Sequence, residues 1–228
     1  KMVDTKRILK TFSGSAPIFP LPDFVMFPKT AYSFNIFEPR YKAMVSNILE
    51  TNKLFTINLI KDNQNKESID NPIFYNTGTL CYIIESKELD NGNYNIIASG
   101  IKKVKIKNKR EENIYITGKV DLIEENQFVV EEQLKRKKLI NKFISLISTA
   151  NKDLNLNAID TSLISTEMLT NLACLILPLE NSDKQKLLEL NNIELRLEVL
   201  CQFMDSELKV ESDLLNFNQI IPTNINWN

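Results

Sequence analysis

Residues 17–44 read PIFPLPDFVMFPKTAYSFNIFEPRYKAM, and this stretch decides the fold. Pro20, Pro22 and Pro28 each lack a backbone donor and fix φ, so no helix runs through them. The residue before each proline is pushed toward extended geometry. The run therefore predicts short strands, Ile18 to Leu21 and Thr30 to Ile36, joined at rigid corners. Pro39 then suits the first turn of a helix. Tyr41, Met44, Val45, Ile48 and Leu49 follow at i, i+3, i+4, i+7 and i+8, the spacing of one apolar helix face.

Working outward, glycine placement divides the chain. All five glycines, Gly14, Gly78, Gly92, Gly100 and Gly118, precede residue 119. Glycine serves hairpins and is disfavoured in helices, so a β-rich first part and a helical second part are expected. Further strands are predicted at Leu54 to Ile60, Gly78 to Glu85, Tyr94 to Ser99, Lys102 to Lys107 and Ile114 to Ile123. Asp90-Asn91-Gly92-Asn93 is a hairpin turn. Lys61 to Asn71 is polar and reads as a mobile loop. Helices are expected over Glu131 to Ala150 and over Ser162 to Leu177, the latter stopped by Pro178. Ser182 with Gln185 reads as a capping box for a third. Asn191 with Glu194 reads as the cap of a last helix carrying Leu195, Val199, Leu200 and Phe203. No internal repeat is visible.

The 228 residues suffice for one large or two small domains. Lys plus Arg total 28 against 29 Asp plus Glu, so no global field favours nucleic acid or an anionic membrane. The chain has no His, and Cys81, Cys174 and Cys201 lie far apart. That pattern excludes a Cys/His zinc site and fits buried thiols in a reducing cytoplasm. No apolar run approaches the ~20 residues of a membrane span.

Phe19-Pro20-Leu21-Pro22, Phe27-Pro28 and Ile36-Phe37-Glu38-Pro39-Arg40-Tyr41 with Met44 resemble the start of the Lon N-terminal domain, the substrate-recognition module of ATP-dependent Lon proteases. Thr77-Gly78-Thr79, Asn91-Gly92 and Gly100 to Ile106 resemble its central strands. Leu177-Pro178-Leu179, Lys184 to Glu189 and Leu195 to Glu198 resemble its closing helices. The resemblance covers about residues 16–208. It implies an α+β fold: a twisted, partly closed β-barrel of the PUA-like kind with one inserted helix, followed by an α-helical bundle. The expected division is a β-rich subdomain at 16–123, a helical subdomain at 127–209, and flexible termini at 1–15 and 210–228. The family often has Gly after the second Phe-Pro, where this chain has Lys29, and an Arg where this chain has Lys103. Full Lon proteases continue into ATPase and Ser-Lys peptidase domains, and this sequence has no GxxxxGK[ST] phosphate loop. A free-standing domain is the expectation, with an N-terminal fragment of a full-length Lon protease as the alternative.

Several residues invite a functional reading. Glu38 and Arg40 could orient a substrate, but Glu38 at a helix N-terminus favours the dipole and Arg40 is expected to pin that helix to the sheet. Phe19, Phe24, Phe27, Phe34, Phe37 and Tyr41 are mostly core by expectation, with Phe24 or Phe27 facing solvent at the proline corner. Lys103, Lys105, Lys107 and Lys109 share one strand parity. They suggest an anion or RNA contact, and more simply a solvated face or a guarded edge. Nucleophilic catalysis lacks a His partner. Ser-Lys chemistry, as in a hydrolase, has no pair singled out by spacing. The resulting expectation is a non-enzymatic, cytoplasmic recognition module with no cofactor, metal or catalytic residue. Its expected partners are unfolded or apolar polypeptide segments, with a protease or chaperone as a further partner, and neither nucleic acid nor membrane. The candidate peptide site is Leu21, Pro22, Phe24, Phe27, Pro28, Phe34, Phe37, Glu38, Arg40 and Tyr41. A PUA-like RNA-binding protein is the rival reading.

Overall fold

A long bent hairpin organises the sheet. In the computed structural model, which describes residues 4–61, 72–110, 114–126, 136–137, 139–141 and 164–205, the strands are β1 (Ser15–Leu21), β2 (Ala31–Ile36), β3 (Leu54–Leu59), β4 (Thr77–Glu88), β5 (Tyr94–Arg110) and β6 (Thr117–Leu122). Helices are α1 (Thr5–Lys10), α2 (Pro39–Leu49), α3 (Thr166–Ile176), α4 (Asn181–Glu189) and α5 (Ile193–Asp205). The order is β2-β5-β4-β3-β1-β6, and β6 pairs again with β5. The ladder therefore runs back onto β5, whose first half carries β2 and whose second half carries β6. β1 and β3 are parallel and the other pairs antiparallel.

The β4–β5 turn is the expected one. Gly92 takes φ +72°, and its N–H donates to the Leu89 carbonyl at 2.8 Å. Two strands were expected from Tyr94 to Lys107, divided at Gly100. One strand runs through instead, because Gly100 serves close packing rather than a turn. A Cβ there would overlap the Phe27 carbonyl oxygen. The irregularity falls at Ile101, where Leu80 pairs with Lys102 and Cys81 with Gly100. This is a β-bulge, which bends the strand.

Burial follows the periodicities. β3 is buried along its whole length. α2 buries Tyr41, Met44, Val45 and Ile48, much as its stripe predicts. With Phe19, Met26, Phe55 and Ile57 these form one apolar cluster. A second contains Ile18, Leu80, Val104 and Val120. A third joins Val25, Phe27 and Leu59 to Leu169, Cys174, Leu187, Leu197 and Leu200, so it binds the β1–β2 connection to the helices.

Several helix ends differ from expectation. α3 starts after Ser165, not at Ser162; the Ser165 hydroxyl accepts the Met168 N–H at 3.2 Å. Ser182 does not cap α4. The Glu180 carbonyl already accepts the Asp183 and Lys184 N–H groups, so Ser182 lies inside the first turn. Gln185 instead turns inward and donates to the Thr77 carbonyl at 3.1 Å. The last helix is capped by Asn192, whose Oδ1 accepts the Leu195 N–H at 3.1 Å. Asn191 is held one residue earlier by its carbonyl's bond from the Asn126 N–H. That rotation leaves Leu195 exposed and buries Ile193, Leu197 and Leu200. The N-terminal segment, expected to be flexible through residue 15, includes α1, with Ile8, Leu9 and Phe12 packed on the sheet. All of the expected Lys61 to Asn71 loop after Lys61, most of the expected helix at 131–150 and the tail at 210–228 lie outside the described residues.

Candidate functional site

β2 ends the strand order and pairs only with β5 among the described residues. Its alternation puts Tyr32, Phe34 and Ile36 on one face and Ala31, Ser33 and Asn35 on the other. Ile36 is buried, while Tyr32 and Phe34 are half-buried, with no further described strand beside them. Phe24, from the proline-fixed connection, packs on both. Its ring lies 4.5 Å from Tyr32 and 5.2 Å from Phe34, and those two are 4.9 Å apart. Phe34 leans on Phe19 at 6.1 Å, and Phe19 on Tyr41 at 4.5 Å. Such tilted and edge-on contacts add to area burial. The three outer rings form a half-open apolar patch continuous with the core beneath. Burial raises the Tyr32 hydroxyl pKa further above its ordinary value, so this phenol adds no charge to the patch. Phe24 and Tyr32 also touch the cluster shared with the helices, so the patch sits at the sheet–helix junction.

The residues expected to form a peptide site separate into two groups. Phe24, Phe34 and Leu21 are half-buried, Pro22 is exposed, and Phe37 is 63% exposed just beyond β2. Phe27 is fully buried, with the Arg196 guanidinium 5.9 Å from its ring centroid. Of the two rings of which one was expected to face solvent, Phe27 packs into the cluster shared with the helices and Phe24 stays half-buried. Pro28 is buried too, and its carbonyl accepts from the Asn171 amide at 3.0 Å. Tyr41 is core, its pKa pushed up to about 12 by desolvation. Glu38 caps α2 without a side-chain bond to the helix. Arg40 turns back on its own helix end, bonding Glu38 at 3.0–3.1 Å and covering the Tyr41 ring at 4.7 Å. Tyr32 was missed from sequence, although the alternation Tyr32, Phe34, Ile36 carried the signal.

The lysine row also divides. Lys103 is fully buried, not on a solvated face, because β5 is covered by the helices there. Its ammonium donates to the Leu190 carbonyl at 2.8 Å and pairs with Glu125 at 3.2 Å. Glu125 also pairs with the buried Arg196. Arg196 donates in addition to the carbonyls of Leu187 and Leu190, both at 2.8 Å, and to Asn171 Oδ1 at 2.7 Å. This network fastens β5 and the β1–β2 corner to α3, α4 and α5. Desolvation lowers the Lys103 pKa to about 8, with Glu125 opposing. Desolvation also brings Lys184 to about 8. Lys107 pairs with Asp121 at 3.0 Å, and Lys109 lies 4.2 Å over the Phe74 ring. The row thus offers no continuous cationic track.

No cluster of three metal-ligating side chains occurs among the described residues. Cys81 and Cys174 are buried with raised pKa values, which disfavours thiolate chemistry. No described helix is long and apolar enough to cross a membrane.

Comparison with known proteins gives a consistent picture. The family model for the ATP-dependent protease La (LON) substrate-binding domain matches residues 15–206. A Lon protease of Buchnera aphidicola subsp. Baizongia pistaciae is 27% identical over 207 residues, covering 88% of this chain and 26% of that protein. The chain thus spans about a quarter of the length of the curated relatives it matches. The N-terminal domain of a Mycobacterium avium complex Lon protease superposes with a TM-score of 0.66 at 14% identity, covering 85% of this chain and all of that one. The Lon N-terminal domain protein from Xanthomonas campestris gives 0.61 at 21% identity, covering 83% and 98%.

Proposed function

Since this chain belongs to the family of the LON substrate-binding domain, we propose that it recognises unfolded or degradation-bound polypeptide segments at the patch formed by Phe24, Tyr32 and Phe34, and that it performs no catalysis itself. The observation that carries this reading is the half-open aromatic trio on one face of β2, next to an edge that no described strand pairs. Apolar surface left open on a fixed framework marks an interaction site. The prolines at either side of Phe24 hold the backbone in place, so little ordering opposes binding. Leu21 packs against the same cluster as the patch. Phe27, Pro28 and Tyr41 act beneath it as support, and Glu38 with Arg40 holds the start of α2. A module that samples many segments works through weak contacts, near the micromolar range or ~8 kcal/mol. The RNA reading loses its main support with Lys103 buried and Lys107 paired.

The test pairs titration of a fluorescent apolar peptide with thermal unfolding for Phe24→Ala and Phe34→Ala. Each should weaken binding by ~1–3 kcal/mol. If both variants bind as the parent chain does, the site lies elsewhere.

A further inference from the structure

Beyond the presence of an apolar patch, the edge of β2 specifies how a segment would lie on it. The register between β2 and β5 is unbroken from Ala31↔Ser99 to Ile36↔Tyr94, and the Gly100 N–H donates to the Thr30 carbonyl at 2.8 Å. That bond sets the phase of an antiparallel ladder, in which bonded and non-bonded pairs alternate. Tyr32, Phe34 and Ile36 therefore exchange bonds with β5. The backbone N–H and C=O groups of Ala31, Ser33 and Asn35 point away from the sheet, and no other backbone bond among the described residues satisfies them. Edge strands are ordinarily protected by charged side chains, proline or a bulge. β2 reads AYSFNI, with no charge, no proline and no register shift. Among the described residues its outer edge is a row of open donors and acceptors beside an apolar face.

Resting on the reading above, we propose that β2 binds its polypeptide ligand as an added β-strand, and that it selects segments with strand periodicity. Ladder bonds to Ala31, Ser33 and Asn35 fix the ligand's backbone. Its alternate side chains then fall on two faces of the sheet. One set continues the row of Tyr32 and Phe34 and extends the apolar core. The other set lies beside Ala31, Ser33 and Asn35, which are small or polar. The fitting ligand is an uncharged segment with large apolar or aromatic side chains at i, i+2 and i+4 and small or polar residues between. This pattern is that of a half-buried strand torn from a folded protein, not that of an amphipathic helix.

The test uses two fluorescent peptides of identical composition, one with apolar residues at i, i+2, i+4 and one at i, i+3, i+4, i+7, titrated into the full chain. The strand-patterned peptide should bind at least tenfold more tightly. N-methylation of its amides of one parity should abolish that binding, and methylation of the other parity should leave it intact, since only one parity faces β2. Ser33→Pro, which removes an outward donor and spares the bonds to β5, should weaken the strand-patterned peptide at least fivefold with unchanged thermal stability. Equal affinity for both peptides, with both weakened by Phe34→Ala, would overturn strand addition while leaving the aromatic patch as the site. Binding of neither peptide would overturn the patch reading and strand addition with it. Self-association of the chain that blocks Ser33, seen by sedimentation, would replace the proposed ligand with a second copy.

Discussion

Replacing Arg196 with Met should detach the helices from the sheet. Arg196 is fully buried, and its guanidinium meets Glu125, Asn171 and the carbonyls of Leu187, Leu188 and Leu190. Methionine follows the same path as the aliphatic stem, so the loss is chiefly polar. Glu125 keeps only Lys103 as a buried cation. Removing one partner of a buried ion pair costs ~3–5 kcal/mol. The Asn171 oxygen and the Leu187 and Leu188 carbonyls lose the Arg196 donor, while the Leu190 carbonyl keeps Lys103, at ~1–3 kcal/mol for each group left unpaired. A sum above ~5 kcal/mol is comparable to the whole stability of an ordinary domain, ~5–15 kcal/mol. Urea unfolding followed by circular dichroism should show a greatly lowered midpoint, or a separate early loss of helical signal. Lys103 should also titrate higher, because the repelling guanidinium has gone. A loss below ~1 kcal/mol would refute the reasoning and mean that water already satisfies these groups.

Other perturbations test separate elements. Lys103 and Lys184 have folded pKa values near 8, below the usual 10.5, so the unfolded chain binds more protons between those limits. Stability should therefore rise as pH increases from about 8 toward 9; above that the buried thiols of Cys81 and Cys174, which the fold keeps protonated, act in the opposite direction, so melting at pH 7.5 and 8.5 checks the sign. Gly100→Ala should cost ~3 kcal/mol or more, since its Cβ would overlap backbone at Phe27; denaturant titration would measure it. Lys29 holds φ +60° and pairs with Glu167. Lys29→Gly relieves the strained φ but adds chain entropy and removes a partly exposed ion pair, so its melting point should correspond to a change within ~1 kcal/mol. Phe27→Ala should cost ~3–5 kcal/mol by emptying core volume, against a small loss for the half-buried Phe24→Ala; calorimetry separates the two.

Sequence periodicity gave α2, the β3 strand and the Asn91-Gly92 turn, because each rests on local chemistry. The same is true of the stop at Pro178. What it concealed depends on contacts between distant segments. Lys103 looks like its neighbours Lys105 and Lys107 until Glu125 and Leu190 are seen to enclose it. Gly100 looks like a strand break because sequence does not reveal that Phe27 passes against it. The exposure of Phe24 and the burial of Phe27 are decided by how the corner folds onto α3, which no local pattern encodes. Lys29, standing where glycine is common in the family, acquires its meaning only from the positive φ at that position. Edge position was likewise hidden: Tyr32 and Phe34 alternate as in any half-buried strand, and only the strand order leaves β2 unpaired on one side among the described residues.

The most direct test of the central claim is a nitrogen–proton NMR titration of the labelled chain with a strand-patterned apolar peptide. Binding at the proposed surface predicts saturable amide shifts at Ala31, Ser33 and Asn35 and at Phe24, Tyr32 and Phe34, with quiet amides along Lys105 to Lys109. Saturable shifts confined to another surface, with β2 unchanged, would contradict it.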